Sequence, residues 1–313
     1  MGRKVAVLMG GRSAEREVSL ETGRAVAAAL RQLGHEVAEI DAGREMAAEL
    51  AELEPDVAFL ALHGRGGEDG TVQGLLEVMR IPYTGCGVLA SAVTMDKVVT
   101  KELLAFHGIP LAEDVVVQPD YNPERIADEV SSTISYPVMV KPPNEGSSIG
   151  VIKVDDPDAL LPALKNVFSR DSRALIERYV KGRLLTVGIF GNGPRVLPVL
   201  EIKVPEGFYD YRAKYQPGIS EYQVPALISP ELSERAMRIS LESFNVLGCE
   251  GISRIDLMLE DETERLMVLE VNTIPGMTAT SLIPMAAASV GISFTEVVTE
   301  IMESARLKVD LLE

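Results

Sequence analysis

The stretch Gly251–Thr278 constrains this chain more than any other. It reads GISRIDLML, an acidic turn (Glu260, Asp261, Glu262, Glu264), then LMVLEVNTIPGMT. Two apolar runs around a polar turn predict a β-hairpin. Arg254 and Asp256 lie two apart on the first run, Glu270 and Asn272 two apart on the second, so each pair shares a face. Any register that pairs even with even numbers puts all four on one side of the sheet. A guanidinium, two carboxylates and an amide on one apolar ribbon are costly to bury unless they meet a ligand or each other. Oxygen ligands of this kind suit a hard cation such as Mg²⁺, and phosphates bound to that cation suit the arginine. The competing reading is a structural Arg–carboxylate pair closing a sheet edge, because ion-pair networks imitate sites.

The 313 residues suffice for two or three domains. A net charge of −17, from 47 acidic and 30 basic side chains, argues against sequence-independent binding to nucleic acid or anionic membrane. Cys86 and Cys249 are far apart with no CxxC, which excludes a disulfide framework or cysteine zinc site and suggests small buried hydrophobes. No apolar run approaches the ~18 residues of a membrane span. MGRKVAVLMGG has no signal-peptide h-region and runs directly into a strand, so a cytoplasmic protein is expected.

In chain order, strands are expected at Lys4–Met9, Val37–Ile40 and Val57–Leu62, with helices near Ser19–Leu33 and Glu45–Leu53. That βαβαβ rhythm implies a parallel sheet with ligands near the strands' carboxyl ends. GGRSAEREVS is not a GxGxxG fingerprint; Glu15 and Arg16 project instead from the loop after the first strand. The third strand ends in HGRGGEDG, four glycines around His63, Arg65, Glu68 and Asp69, which suits a backbone-approach loop or an ordinary turn. Helix 72–79 and a short strand at Pro82–Tyr83 follow. A domain boundary is expected near Ala90–Thr94, then a helix Met95–His107 capped by Thr94, with Lys97 and Lys101 one turn apart. A helix near Glu124–Ser131 leads to the strand Val138–Lys141, which ends on a lysine and opens into PPNEGSSIG. A point charge beside a Gly/Ser loop is a way to hold phosphate, although GxxxxGK[ST] is absent. A strand at Val151–Val154, helix Pro157–Phe168 and strand Ala174–Tyr179 complete the middle unit. Strands at Leu185–Phe190 and Val196–Lys203 begin the last. The stretch Pro205–Ala226 has four tyrosines (Tyr209, Tyr211, Tyr215, Tyr222) with Lys214 and no periodicity, so it suits a lid or binding loop. Helices are expected at Ser229–Leu247 and over much of Ser281–Leu307.

The blocks GGRSAEREVSL, ALHGRGGEDGTVQG, YTGCG, MDK, VKPPNEGSSIGV, FYDYRAKY, GCEGISRIDLML and LEVNTIPGMTATSL together resemble the ATP-grasp superfamily and, within it, the D-alanine–D-alanine ligases. They occur in that family's order and spacing over nearly the whole chain. The resemblance implies a three-domain α/β architecture with α+β elements: a Rossmann-like parallel-sheet domain (1–93), a central ATP-grasp unit (94–183) and a C-terminal unit with metal ligands and lid (184–313). It implies ATP as a substrate, two Mg²⁺ or Mn²⁺ ions, a monovalent cation, D-alanine as the other substrate, and a homodimer. Asp256, Glu270 and Asn272 would ligate the metals. Lys97, Lys141 and Ser148 would meet the phosphates, and Lys214 the γ-phosphate. Glu177 and the main chain at Arg178, Tyr179 and Val180 would hold adenine. Glu15 would bind the first D-alanine's ammonium, linked through Ser147 to Tyr215, with His63 alongside. Arg254 and the Gly276 N–H would stabilise an oxyanion, giving Arg254 to acyl transfer rather than to an ion pair. Ser281 and Leu282 would contact the second D-alanine.

One departure stands out. Where the family usually has a glutamate on the ATP ribose, KGRLLTV places Leu184. A charged hydrogen bond is worth about 1.5–3 kcal/mol, so a weaker grip on ATP is expected. Other readings are a D-alanyl-D-lactate ligase, against which Lys214-Tyr215 speaks; another ATP-grasp ligase, against which Glu15 and the His63 loop speak; an NAD-dependent dehydrogenase, against which the missing GxGxxG speaks; and a catalytically dead binding protein, against which the full set of phosphate and metal residues speaks.

Overall fold

A computed structural model describes residues 2–204 and 219–309. Three sheets organise them. The first is parallel, order β2–β1–β3, from β1 (Lys4–Met9), β2 (Glu36–Asp41) and β3 (Val57–Leu60), with α1 (Arg16–Gln32), α2 (Met46–Leu53) and α3 (Thr71–Val78) as connections. β1 and β3 are apolar on both faces because both are covered, whereas the edge strand β2 (EVAEID) is largely exposed. Val5, Val7 and Phe59 pack with α1 and the C-terminal helices; Ala6, Leu8, Ala58 and Leu60 pack with Leu50, Val72 and Leu76.

Next come α4 (Val88–Met95) and α5 (Lys97–Phe106). The expected helix start and cap differ here. Asp96, not Thr94, caps α5, its carboxylate accepting from the N–H groups of Val98 and Val99. Thr94 lies inside α4, its hydroxyl turned back onto the carbonyl of Ala90. The apolar VLASAV run gives α4 no amphipathic signature, so the periodicity missed it.

The second sheet is antiparallel, order β4–β7–β5–β6, from β4 (Asp114–Val117), β5 (Val138–Lys141), β6 (Ile152–Val154) and β7 (Ala174–Arg178), backed by α6 (Pro123–Thr133) and α7 (Leu160–Phe168). Val138, Val140, Ala174 and Ile176 face the helices. By the two-residue period, Met139, Lys141, Glu177 and Tyr179 face the other way.

The third sheet runs β11–β10–β8–β12–β13, from β8 (Gly182–Gly191), β10 (Leu200–Lys203), β11 (Glu221–Gln223), β12 (Gly251–Glu260) and β13 (Leu266–Asn272), with β9 (Arg195–Val196) paired to β8. The strand expected over Val196–Lys203 is thus two, separated at Pro198, which cannot donate to a ladder. A short edge strand, β11, lies in the stretch expected as loop; residues 205–218 lie outside the described set. The odd-numbered side of β8 and β12 (Leu185, Val187, Ile189, Ile255, Leu257, Leu259) packs on α8 (Pro230–Val246), capped by Ser229, with Cys86 and Cys249 buried in the same core. The last helices, α9 (Leu282–Ala288) and α10 (Phe294–Glu303), pack on β8 and, for α10, on α1, within the core they share with β1 and β3.

Candidate active site

The even-numbered side of the third sheet carries the hairpin's polar residues. Arg254 pairs with Asn272 and Asp256 with Glu270, as an even register requires. A bulge follows at once: Leu257 pairs with Val268, so Leu269 is an extra residue. That shift re-phases β13, letting Val268 and Leu266 join the core while Glu270 and Asn272 stay on the site side. Across the sheet, rows form. Gly188, Arg254 and Asn272 make one; Thr186, Asp256 and Glu270 the next; Ile202, Leu184 and Met258 the third. The face grades from basic, through acidic, to apolar.

Two cavities meet along it. The first, about 410 Å³, lies between the second and third sheets. Lys97, Lys141, Ser148, Glu177, Arg178, Tyr179, Val180, Leu184, Asp256 and Glu270 all line it. Glu177 is buried between two lysines: Lys141 pairs with one oxygen, and Lys101 with the other at 2.5 Å. Burial alone would raise the Glu177 carboxyl, but Lys141 and Lys101 outweigh it and hold it below the usual range. Lys101, noted in the sequence without a role, also donates to Ala112 O at 2.8 Å and meets Asp114 at 3.0 Å. Lys97 at the start of α5 donates to Glu145 O at 2.6 Å, reaching the Gly/Ser loop. The Arg178 side chain turns outward to Glu113 (2.6 Å) and Glu260 (2.7 Å), and the N–H groups of Arg178 and Tyr179 go to Glu113 O and Pro137 O.

The second cavity, about 230 Å³, gathers Glu15, His63, Ser147, Arg254, Asn272, Gly276, Ser281 and Leu282. Glu15 is buried and accepts from the Ser147 hydroxyl. Its carboxylate is hemmed in by main chain: a Cβ at Gly64 would lie 2.5 Å from Glu15 Oε2, and one at Gly146 would lie 2.8 Å away. Arg16, expected beside Glu15, turns out to Asp41 at 2.5 Å. Ser147 and Ser148 both hold positive φ (49° and 59°), a strained pair of the kind found at ligand loops. Their residues divide between the cavities, Ser147 to the second and Ser148 to the first. His63 is buried with Nε2 3.2 Å from Thr22 Oγ1. Burial lowers its pKa, against the pull of the Glu15 carboxylate, so the ring is neutral at neutral pH. Lys214 and Tyr215 lie outside the described residues.

The expectation for Arg254 needs correction. Its Nε and Nη2 donate to both oxygens of Asp256, at 2.8 and 2.7 Å. Asp256, 4% exposed, also accepts from Thr186 Oγ1 (2.6 Å) and Asn272 Nδ2 (3.3 Å). A carboxylate so buried must be paired, and the guanidinium two residues along the same face is nearest. Arg254 is thus an ion-pair partner as well as a cavity wall. Thr186 escaped the sequence reading because nothing on its own strand marks it; only pairing with β12 does.

Glu68, marked in the sequence only as part of the HGRGGEDG loop, also belongs to the site. It lines the second cavity and accepts from the N–H of Gly64 at 2.8 Å and of Ile274 at 3.1 Å. Burial, then the nearby Glu15, pushes its carboxyl up to about 8. The glycine-rich HGRGGEDG spacing was the available signal.

Among the described residues no three His, Cys, Asp or Glu side chains form a metal cluster. Asp256, Glu270 and Asn272 offer two carboxylates and an amide. That set fits Mg²⁺ or Mn²⁺, which take few protein oxygens and complete their shell with phosphate and water.

The family models "D-ala D-ala ligase N-terminus" and "D-ala D-ala ligase C-terminus" match residues 37–86 and 103–303. D-alanine--D-alanine ligase from Carboxydothermus hydrogenoformans is 46% identical over 302 residues, covering 96% of this chain and 97% of the relative. The crystal structure of the D-alanine--D-alanine ligase from Bacillus anthracis superposes with a TM-score of 0.84 at 37% identity, covering 96% of each chain. A structure of D-alanine--D-alanine ligase from Bacillus anthracis complexed with ATP gives 0.83 at 34% identity, covering 97% of each chain.

Proposed function

The chain belongs to the D-alanine–D-alanine ligase family, and from that premise we propose that it joins two D-alanine molecules into D-alanyl-D-alanine through a D-alanyl phosphate, converting ATP to ADP and phosphate, for peptidoglycan precursor synthesis. The observation that carries the reading is the graded sheet face shared by the two cavities. Its apolar row (Leu184, Met258, Ile202) suits a nucleoside, its acidic row a metal–phosphate group, and its Arg254 row an acyl centre.

ATP would occupy the first cavity, with adenine against Glu177 and the main chain of Arg178–Val180 and the phosphates near Lys97, Lys141 and Ser148. Asp256, Glu270 and Asn272 would hold two Mg²⁺ or Mn²⁺ ions, which when bound neutralise phosphate charge. The first D-alanine would enter the second cavity with its ammonium on Glu15, beside His63. Ser147 fixes the Glu15 carboxylate by its hydrogen bond.

The first D-alanine's carboxylate attacks the γ-phosphorus, the β–γ bridge breaks, and an acyl phosphate and ADP result. Little covalent help is needed; positioning and charge stabilisation suffice. The second D-alanine, placed by Ser281 and Leu282, attacks the acyl carbon with its deprotonated amine. Negative charge on the tetrahedral oxygen is met by Arg254, pre-oriented by Asp256, and by the Gly276 N–H. Phosphate then leaves and the amide forms.

The same reading divides the chain near residues 93 and 183, and makes the protein a cytoplasmic homodimer with a role for a monovalent cation. Among the described residues no helix is long and apolar enough to cross a membrane. The test is phosphate release from ATP and Mg²⁺ with D-alanine, L-alanine or D-lactate. D-Alanine should stimulate release and yield dipeptide, and the other two should not. No stimulation by D-alanine at millimolar ATP overturns the reading.

A further inference from the structure

The turn after β13 carries the Gly276 N–H, and two side chains from the first 70 residues hold that turn on either side. Glu68 Oε1 accepts from the N–H of Ile274 at 3.1 Å, and Thr22 Oγ1 from that of Met277 at 3.3 Å. Between them Pro275 has no N–H to give, and just beyond, the Thr278 N–H goes to Ser281 Oγ at 2.9 Å. Gly276 therefore has the one N–H in 274–278 with no acceptor among the described residues, and it lines the second cavity.

Each of the two side chains also grips the opposite wall. Glu68 Oε2 accepts from the Gly64 N–H at 2.8 Å, and Thr22 Oγ1 lies 3.2 Å from His63 Nε2. With His63 neutral, the Thr22 hydroxyl can donate to the ring while accepting from Met277. Glu68 and Thr22 are thus parallel straps from His63–Gly64 to Ile274–Met277, spanning more than 200 residues of sequence. We propose that Glu68 and Thr22 are positioning residues for acyl transfer, which lock the Gly276 turn to the His63 wall and keep its N–H beside Arg254. The inference rests on the ligase reading. The charged groups acting on Glu68 are Glu15, which raises its pKa, and Arg254, which lowers it. With Glu68 pushed up to about 8, the strap is a neutral carboxyl group at neutral pH and adds no repulsion to a cavity that receives carboxylates.

Neither residue lines the first cavity, which separates positioning from nucleotide binding. Steady-state kinetics would be measured for wild type, Thr22→Val, Thr22→Ser and Glu68→Ala. Misplacement of a catalytic group by about 1 Å can cost on the order of a hundredfold. Glu68→Ala should therefore lower kcat by about that factor and Thr22→Val by about tenfold, each with the KM for ATP unchanged, and Thr22→Ser should restore wild-type kcat. A kcat near wild type in Thr22→Val, a rise in ATP KM matching the loss of kcat, or failure of Thr22→Ser to restore it would overturn the proposal. If Glu68→Ala does not fold, the isosteric Thr22 pair decides. Wild-type protein that gives no D-alanine-stimulated phosphate release would instead overturn the ligase reading itself.

Discussion

The two cavities are built by different means. The first is walled mainly by strands, and β pairing decides most of the side chains that face it: Lys141 and Glu177 on one sheet, Leu184, Asp256 and Glu270 on the other, with Lys97 and Ser148 reaching in from a helix and a loop. The second has Arg254 and Asn272 of the sheet face and Tyr222 of β11 in its wall, but most of it comes from segments around Glu15, His63–Glu68, Gly146–Ser147 and Ile274–Leu282. Those segments are joined by side-chain bonds to main chain or to one another rather than by a ladder. A ladder spreads its support over many bonds, whereas a strapped wall depends on few. Loss of one side chain should change affinity locally in the first cavity and displace neighbours in the second.

Arg254 sits where the two meet, so its loss should produce the largest effect. Arg254→Ala should lower kcat by about 10²–10³, the usual consequence of losing an oxyanion donor. It should also destabilise the fold by about 3–5 kcal/mol, because among the described residues the buried Asp256 would keep only Thr186 and Asn272 as partners. Phosphate-release kinetics and urea unfolding check the two parts. Lost stability with normal kcat would restore the purely structural reading of the hairpin pair.

A smaller effect, confined to the first cavity, should come from Leu184→Glu. Leu184 is half-buried, faces Ile202 and Met258 across the sheet, and lines the first cavity. A new charged hydrogen bond of about 1.5–3 kcal/mol should lower the ATP KM by about ten- to hundredfold. The D-alanine KM should not move. An unchanged ATP KM would refute the role given to Leu184, and a moving D-alanine KM would break the separation of the cavities.

The first cavity was largely legible in the sequence and the second only in part, for the same physical reason. Alternation along a strand is local, so Arg254, Asp256, Glu270 and Asn272 could be assigned to one face before any pairing was seen. The bulge at Leu269 was not legible, because alternation does not reveal where an extra residue interrupts it. Thr186 and Lys101 were missed because their roles exist only across a ladder or through a buried carboxylate on another strand. Glu15 and His63 were placed by family resemblance. Glu68 and Thr22 bond to the main chain of residues far along the sequence, and a main-chain partner leaves no mark in residue types. The apolar run of α4 hid a helix, and with it the true cap of α5.

The smallest predicted effect concerns a carboxyl group in each cavity whose pH responses have opposite signs. Glu68 is pushed from the ordinary 4.5 to about 8. Between those values the unfolded chain releases a proton that the folded protein keeps, so stability from this group is full below about 4.5 and is lost as pH rises through about 8. Glu177, held low by its lysines, stabilises above 4.5 and loses that contribution as pH falls through its lower folded value. Glu68→Gln cannot titrate. Thermal unfolding from about pH 5 to about pH 8 should therefore show wild type losing stability relative to Glu68→Gln, by at least about 2 °C in Tm. Below pH 4.5 the two should fall in parallel, since that limb belongs to Glu177 and the other carboxylates. Parallel curves across the whole range would mean that Glu68 is ionised at neutral pH, and the contrast between a charge-paired first cavity and a neutral, strapped second one would fail at that residue.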